Sequence, residues 1–488
     1  MPDDKNLSEI NIENQKIIDN KELNIWEALI PVLCLMGLLA YNIFAAEGVL
    51  LGDYSNQFIL LIGGLVAAMV GFTNKVSLTT MISEIWENWK SVFVPIMILF
   101  LVGALAGTWL ISGIIPAMVY YGLQVLSPAI FLPASVIIAA IISIATGSSW
   151  TTSATVGIAL IGIGSALGIP TGMIAGAVIS GAYFGDKMSP LSDTTNLAPA
   201  MAGTDLFTHI KYMAYTTVPT LIITLIVFAI LSATIDTTGA ADISGLLETI
   251  KNTFQISPWL FVVPGVVIAM ILLKTKPLVA LGTGVVLAAV FAFIFQSEIL
   301  NGLADSKISA ILNSVLSDTQ ITTSDEKLTE LFSAGGMEGM LWTIFLIICA
   351  MVFGGIMDGI GALAKITKSL LALATSVFGL FASTVVSCLG LNIVASDQYL
   401  AIVIPGKMFK KAFEDKGLAP ENLSRTLEDS GTVTSVLIPW NTCGAYQSGV
   451  LGVSVSDYFV YAIFNYLSPI MTLIFAAFKI KIRQLANK

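Results

Sequence analysis

The chain predicts an all-α polytopic membrane protein. Hydrophobic residues make up 56% of the 488 positions and charged ones only 11%. Mean hydropathy is +0.87. The apolar residues are gathered into runs long enough to cross about 30 Å of hydrocarbon, rather than spaced along amphipathic faces.

Residues 1–25 are polar and mixed in charge, which predicts a short, poorly ordered cytoplasmic tail. The first apolar segment runs on into a full span, so a cleavable signal peptide is not expected. Apolar runs follow at 26–46, 57–72 and 91–111, then at 130–168 with an interruption, at 171–204 with another, and at 210–235. After a polar linker, 236–257, the runs are 258–273, 277–296, 340–358, an interrupted 376–411, a broken 426–455 and 457–478, with a polar segment at 297–338. The order of spans, interrupted hairpin, broken helix and span occurs twice, and Gly107…Ser112-Gly113-Ile114 is answered by Gly354…Asp358-Gly359-Ile360. This predicts two structural repeats, 26–235 and 258–478.

Charge decides how the repeats are oriented. If 113–127 and 361–375 are connectors lying in the membrane interface, every basic cluster except Lys251, Lys307 and Lys327 falls on one side. By the positive-inside rule that side is the cytoplasm. The same count makes the repeats inverted, with about ten transmembrane helices, two re-entrant hairpins and two broken helices. Both termini, including the tail 479–488, are then cytoplasmic, and 297–338 and the linker are extracellular.

The interruptions carry the chemistry. Gly185-Asp-Lys-Met-Ser-Pro-Leu-Ser-Asp-Thr-Thr-Asn-Leu-Ala-Pro199 sets two carboxylates, an ammonium, hydroxyls and an amide inside an apolar run. A charge at mid-bilayer costs several kcal/mol, and free backbone groups are tolerated there only beside a cavity or under protein cover. The hairpin tip around Ser148, Ser149 and Thr151 is rich in hydroxyls and holds Gly147, so its oxygens can converge on a small hard cation. Asn392…Ser396-Asp397-Gln398-Tyr399 is its counterpart. In the second break, Glu428-Asp429-Ser430-Gly431-Thr432…Pro439-Trp-Asn441-Thr442-Cys443-Gly444, adjacent carboxylates in a dry site would not both ionise unless a cation sat between them. Hydroxyls and glycines also serve to pack membrane helices closely. The matched clusters in both halves favour the ligand reading over that one. Asp358 is expected at the interface at the end of its span, and His209 at the cytoplasmic end of 210–235 with no assigned role.

These three stretches, Gly185 to Asn196, Asp397-Gln-Tyr-Leu-Ala-Ile-Val-Ile-Pro-Gly406 and Glu428 to Gly444, resemble the signature sequences of the NhaC-type Na+/H+ antiporters of the ion-transporter superfamily. The resemblance runs from about residue 26 to 478. It implies a secondary transporter that exchanges Na+ for H+ by an elevator-type movement, in a prokaryotic plasma membrane, as a homodimer. Relatives of the same family resemble malate/lactate or amino-acid transporters, so a carboxylate or amino-acid exchanger is the alternative. No arginine lies in either tip or break, so the usual bidentate clamp for a carboxylate is missing. The proton-coupling candidates are Asp186, Asp193, Asp397, Glu428 and Asp429. Substrate contacts are assigned to Ser148, Ser149, Thr151, Thr194, Asn196, Asn392, Ser396, Asn441 and Thr442, with Na+ held by Ser149, Asp193, Asn196, Asn392, Asp397 and Asn441. Na+, H+ and membrane lipid are the expected partners, with no cofactor and no nucleic acid.

An enzyme is not expected. Tyr183-Phe184-Gly185-Asp186 lacks the first glycine of the Gly-x-Gly-Asp element of intramembrane aspartyl proteases, and the chain has one histidine and no HExxH. The four cysteines show no CxxC spacing, so neither a disulfide framework nor a zinc site is indicated.

Overall fold

The computed structural model describes residues 7–12, 15–46, 49–235, 243–273 and 275–485. Ahead of the first helix, where an unstructured tail was expected, β1 (Leu7–Ile12) and β2 (Gln15–Asn20) pair as an antiparallel hairpin. Asn20 closes that hairpin against the body of the protein, its amide donating to the Ile360 carbonyl at 3.4 Å. Asn24 and Glu27 then form a reciprocal capping box that starts α1 (Ile25–Ala45), the Asn24 N–H donating to the Glu27 carboxylate and the Glu27 N–H to Asn24 Oδ1.

The first half continues with α2 (Ser55–Thr73), α3 (Leu78–Ile111), α4 (Ile114–Val125), α5 (Pro128–Thr146), α6 (Ser149–Thr152), a π-turn at Ser153–Gly157, α7 (Ile158–Ala166), α8 (Thr171–Met188), α9 (Asp193–Ala202) and α10 (Leu206–Thr234). Of the linker, 236–242 lies outside the described residues, and 243–253 forms α11 (Ile243–Thr253). Next come α12 (Val262–Leu272) and α13 (Pro277–Phe295). The polar segment folds into α14 (Ser297–Leu303), α15 (Lys307–Leu316), the pair β3 (Thr319–Gln320) and β4 (Ser333–Ala334), and α16 (Glu326–Leu331) between them. The second half holds α17 (Leu341–Gly359), α18 (Ala362–Ala372), α19 (Val377–Val394), α20 (Gln398–Asp415), α21 (Pro420–Leu427) with a π-turn at Glu428–Thr432, α22 (Thr442–Leu451), α23 (Val455–Tyr458) and α24 (Ile463–Ala477).

Eight helices among the described residues are long and apolar enough to cross a bilayer, or ten if two bent pairs count as spans, α11 with the helix after it (84°) and α23 with α24 (51°). Large apolar side chains such as Leu65, Phe93, Ile141 and Val286 stand exposed on these helices. An apolar exterior of this extent fits hydrocarbon rather than water. The protein is a multi-pass, all-α membrane protein.

Two helical bodies can be separated by their contacts. In one, α17 lies across α2 and α3, with α1 against α2 and α13 against α3. In the other, α5 packs on α8 and α10, and α20 on α9, α19 and α21. A Cβ on Gly185 would collide with Ser143, so glycine there permits the close approach of α5 and α8. The short helices α4 and α18 connect the bodies, and at 12 and 11 residues they are too short to span. Each begins at a left-handed glycine, Gly113 at φ 79° and Gly361 at φ 78°. The sequence pairs Gly113 with Gly359, but Gly359 is the last residue of α17; the turn falls at Gly361, because only there does the chain need a positive φ.

Candidate functional site

The first tip is built by local caps. Gly147 ends α5 in the left-handed region (φ 72°), and the Ser148 hydroxyl accepts the Thr151 N–H at 3.2 Å to start α6. This turns Ser149 toward Asp186 near the end of α8. The Ser149 N–H donates to Asp186 Oδ1 at 2.8 Å and its hydroxyl to Oδ2 at 2.5 Å. The chain breaks at Ser189–Ser192, and Ser192 caps α9. The Thr194 and Thr195 hydroxyls at the start of α9 reach back to the Asp186 carbonyl. Asp186 is therefore fixed by both the tip and the break of its half.

The second half repeats these contacts with different chemistry. Ser396, at φ 59°, turns the chain, and Asp397 caps α20 by accepting the Leu400 N–H at 3.0 Å. Asn441 caps α22 as Ser192 caps α9. The Asn392 amide donates to the Gly431 carbonyl (2.8 Å) and to Thr434 (3.0 Å), while Asn441 donates to the Asn392 carbonyl (3.1 Å) and side-chain oxygen (3.2 Å). Along the chain Asn392 and Gly431 are as far apart as Ser143 and Ala182, and the Ser143 hydroxyl donates to the Ala182 carbonyl. Likewise Gln398 and Ser435, 3.4 Å apart, repeat the spacing of Ser149 and Asp186, with no charge.

The two tips meet at a cavity of about 730 Å³. Of the predicted site residues, Ser148, Ser149, Thr151, Asp186, Asp193, Thr194, Asp397 and Thr442 line it. A smaller cavity beside it is lined by Asp193, Asn196 and Asp397. Asn392, Ser396 and Asn441 are fully buried behind the second tip. They line neither cavity, and their hydrogen bonds hold tip to break instead. The opposite wall comes from α3 (Ser91, Pro95) and the α12–α13 loop, including Lys276.

The adjacent-carboxylate reading of Glu428 and Asp429 is corrected. Both lie inside a helical turn, where neighbours in sequence point apart. Asp429 Oδ1 forms a fully buried ion pair with Lys187 Nζ at 2.5 Å, and Oδ2 accepts from Thr216 (2.9 Å) and Thr472. Lys187 also donates to Ser468 at 3.1 Å and lies 4.8 Å from the Phe464 ring centre. The Glu428 carboxylate is fully buried, and neither of its oxygens has a hydrogen-bond partner among the described residues. Neither acid reaches the cavity wall. Sequence reasoning assigned no role to Lys187 and did not single out Thr216, Ser468 or Thr472; a lone lysine between two apolar runs was the one available signal. Asp358 is buried rather than interfacial, and His209 is buried with Nδ1 2.9 Å from the Ser424 hydroxyl.

Residues 181–480, which hold both breaks and the second tip, match the model of the Na+/H+ antiporter family. The chain belongs to that family. The Na+/H+ antiporter NhaC of Alkalihalophilus pseudofirmus is 38% identical over 431 residues, 87% of this chain and 91% of that protein. The malate-2H+/Na+-lactate antiporter of Bacillus subtilis is 34% identical, covering 83% of this chain and 86% of its own. The arginine/ornithine antiporter ArcD of Halobacterium salinarum is 37% identical, covering 78% and 77%. Among the described residues of this antiporter-family chain, no group of three or more His, Cys, Asp and Glu side chains is placed to hold a metal ion.

Proposed function

We propose that the protein exchanges Na+ for H+ across a prokaryotic plasma membrane. One observation carries the reading. Asp186, Asp193 and Asp397 face a single hydroxyl-rich cavity, and Lys276 is the one basic side chain among the described residues that line it. Such a surface attracts a small cation and repels a carboxylate. Oxygen ligands suit a hard ion. A proton and Na+ then compete for the same carboxylates, Asp193 being the exposed one at the first turn of α9. If only the loaded forms cross, that competition couples the two flows with no covalent step.

The matched caps, connectors and tip-to-break bonds support a reading as two inverted repeats. The division into two bodies supports an elevator movement of the body that carries tips and breaks. The charge count supports cytoplasmic termini, and homodimer assembly belongs to the same proposal. Cysteines introduced at Lys411 and Glu326 for labelling should be reached from opposite faces of the membrane; reaction of both from one face rejects the inverted arrangement.

A second reading is favoured by cavity size, since 730 Å³ exceeds the needs of one ion. It is an organic substrate, as the names of the malate/lactate and arginine/ornithine relatives suggest. Vesicles holding the purified protein and a pH dye separate the two. Na+-dependent proton flux in gluconate medium supports the ion exchanger. Flux seen only after malate, lactate or arginine is added replaces it.

A further inference from the structure

Away from the tips, at the end where α10 begins and α24 finishes, lies a separate cavity of about 580 Å³. Thr208, Lys211, Tyr212 and Tyr215 of α10 line one wall, and Lys481, Ile482 and Arg483 of the segment after α24 line the other. We propose that this cavity binds the phosphate of an anionic phospholipid headgroup.

The walls are fixed before any ligand arrives. The Tyr212 hydroxyl lies within hydrogen-bond distance of Asn422 Oδ1 (2.6 Å) and the Lys481 carbonyl, and accepts the Arg483 N–H at 3.2 Å. The Arg483 carbonyl accepts from Ala419 N–H (3.0 Å) and from the Asn422 amide (2.7 Å). The C-terminal segment is thus strapped across α10 and α21. It takes an unusual path to do so, with Lys479 at φ 55° and Lys481 at φ 47°. Non-glycine residues in that region are strained, and such strain collects at ligand clamps.

The charges left over are positive. Arg483 pairs with Glu421 at 2.7 Å, but neither Lys211 nor Lys481 has a carboxylate partner among the described residues. The Lys481 ammonium rests 5.0 Å from the Tyr215 ring centre, beside the cavity. Two unpaired ammonium groups with a threonine hydroxyl suit a phosphate, whose oxygens accept from all three.

The rim says why the phosphate belongs to a lipid. Tyr215 of the wall is exposed, as are Phe207, next to Thr208 in α10, and Phe478, which caps the end of α24, and Val218 and Ile222 are exposed further along α10. Aromatic rings beside lysines mark the headgroup level, and the apolar stripe beyond them faces the acyl chains. A phosphate held at that level lies within reach of the headgroups of the surrounding bilayer. The cavity also touches the transport body, because the Tyr212 ring that forms its wall covers the buried Arg425 guanidinium at 4.5 Å.

The test compares the full-length protein in detergent with phosphatidylglycerol, phosphatidylcholine or inorganic phosphate, read by lipid retention in native mass spectrometry and by melting temperature. Phosphatidylglycerol should be retained and should raise the melting temperature more than phosphatidylcholine. The double variant Lys211→Gln with Lys481→Gly keeps the strap, since glycine accepts the positive φ. It should lose about fivefold in phosphatidylglycerol affinity per lysine, with its lipid-free melting temperature unchanged. Equal retention of the two lipids, undiminished phosphatidylglycerol binding by the variant, or stabilisation by inorganic phosphate equal to that by phosphatidylglycerol would each overturn the proposal.

Discussion

The two halves of the protein place the same turns in the same order and use them oppositely. In the first half the tip-to-break contact is Ser149 with the Asp186 carboxylate, on the cavity wall. At the corresponding positions of the second half, Gln398 and Ser435 make a weak neutral contact. What the second half has instead is the Asn392 and Asn441 amide network, fully buried and directed at backbone carbonyls. Lys187 likewise forms the buried pair with Asp429, while Val436 at its counterpart is apolar. The first half thus offers two carboxylates to the cavity, Asp186 and Asp193, and the second half offers one, Asp397, while holding its own tip to its break with amides. Matching turns do not require matching chemistry, because a cap needs only an acceptor, whereas a side chain that serves the cavity has to face it.

The comparison is tested most severely at Asp186. Asp186→Asn keeps the shape but removes the charge, and Na+-driven proton flux in vesicles should fall on the order of a hundredfold, the upper end for a charge-assisted contact. Ser435→Ala, at the equivalent place, should change flux by less than about twofold, since it removes only neutral contacts, a long one to Gln398 and a local one to the Thr432 carbonyl. Comparable losses in both would show that the halves share the work.

The buried pair is read in stability rather than in flux. Lys187→Met leaves Asp429 buried without its counter-charge and should destabilise the protein by about 3–5 kcal/mol, read as a lowered melting temperature in detergent. Val436→Ala should lose about 1.5–2 kcal/mol, from apolar burial alone. A Lys187→Met protein as stable as the parent would show that the buried pair adds nothing to stability.

Asp397→Asn separates scaffolding from ligation in the second tip. Asparagine caps a helix as well as aspartate does, so the melting temperature should hold. The apparent Na+ affinity should weaken about ten- to a hundredfold if the carboxylate contacts the ion. Unchanged affinity would leave the first half as the sole source of charge at the site.

The smallest effect concerns the amides. Asn392→Ala removes the donor to the Gly431 carbonyl and to the Thr434 hydroxyl, which keeps its own bond to the Ser430 carbonyl, and should cost about 1–3 kcal/mol, against about 1 kcal/mol for Ser143→Ala with its single bond. Both are measured by thermal melting; equal costs would make the amide network no more than a local contact.

Composition and run length determined the class, because about 20 consecutive apolar residues have no stable home but a membrane. The interrupted segments, the short connectors and the placing of Ser148, Ser149, Asp193 and Asp397 at tips and breaks were also legible, since glycine, proline and capping residues act locally. Only the tertiary structure decided which of those side chains face an opening. Asn392 and Asn441 look like ligands in sequence and are spent on carbonyls of neighbouring elements. Glu428 and Asp429 look like a carboxylate pair and are parted by the helical turn, with Lys187 arriving from more than two hundred residues away to neutralise one of them. Capping and hydropathy are fixed within a few residues of chain, but the partner of a buried charge is set by packing between distant helices, and no local pattern encodes it.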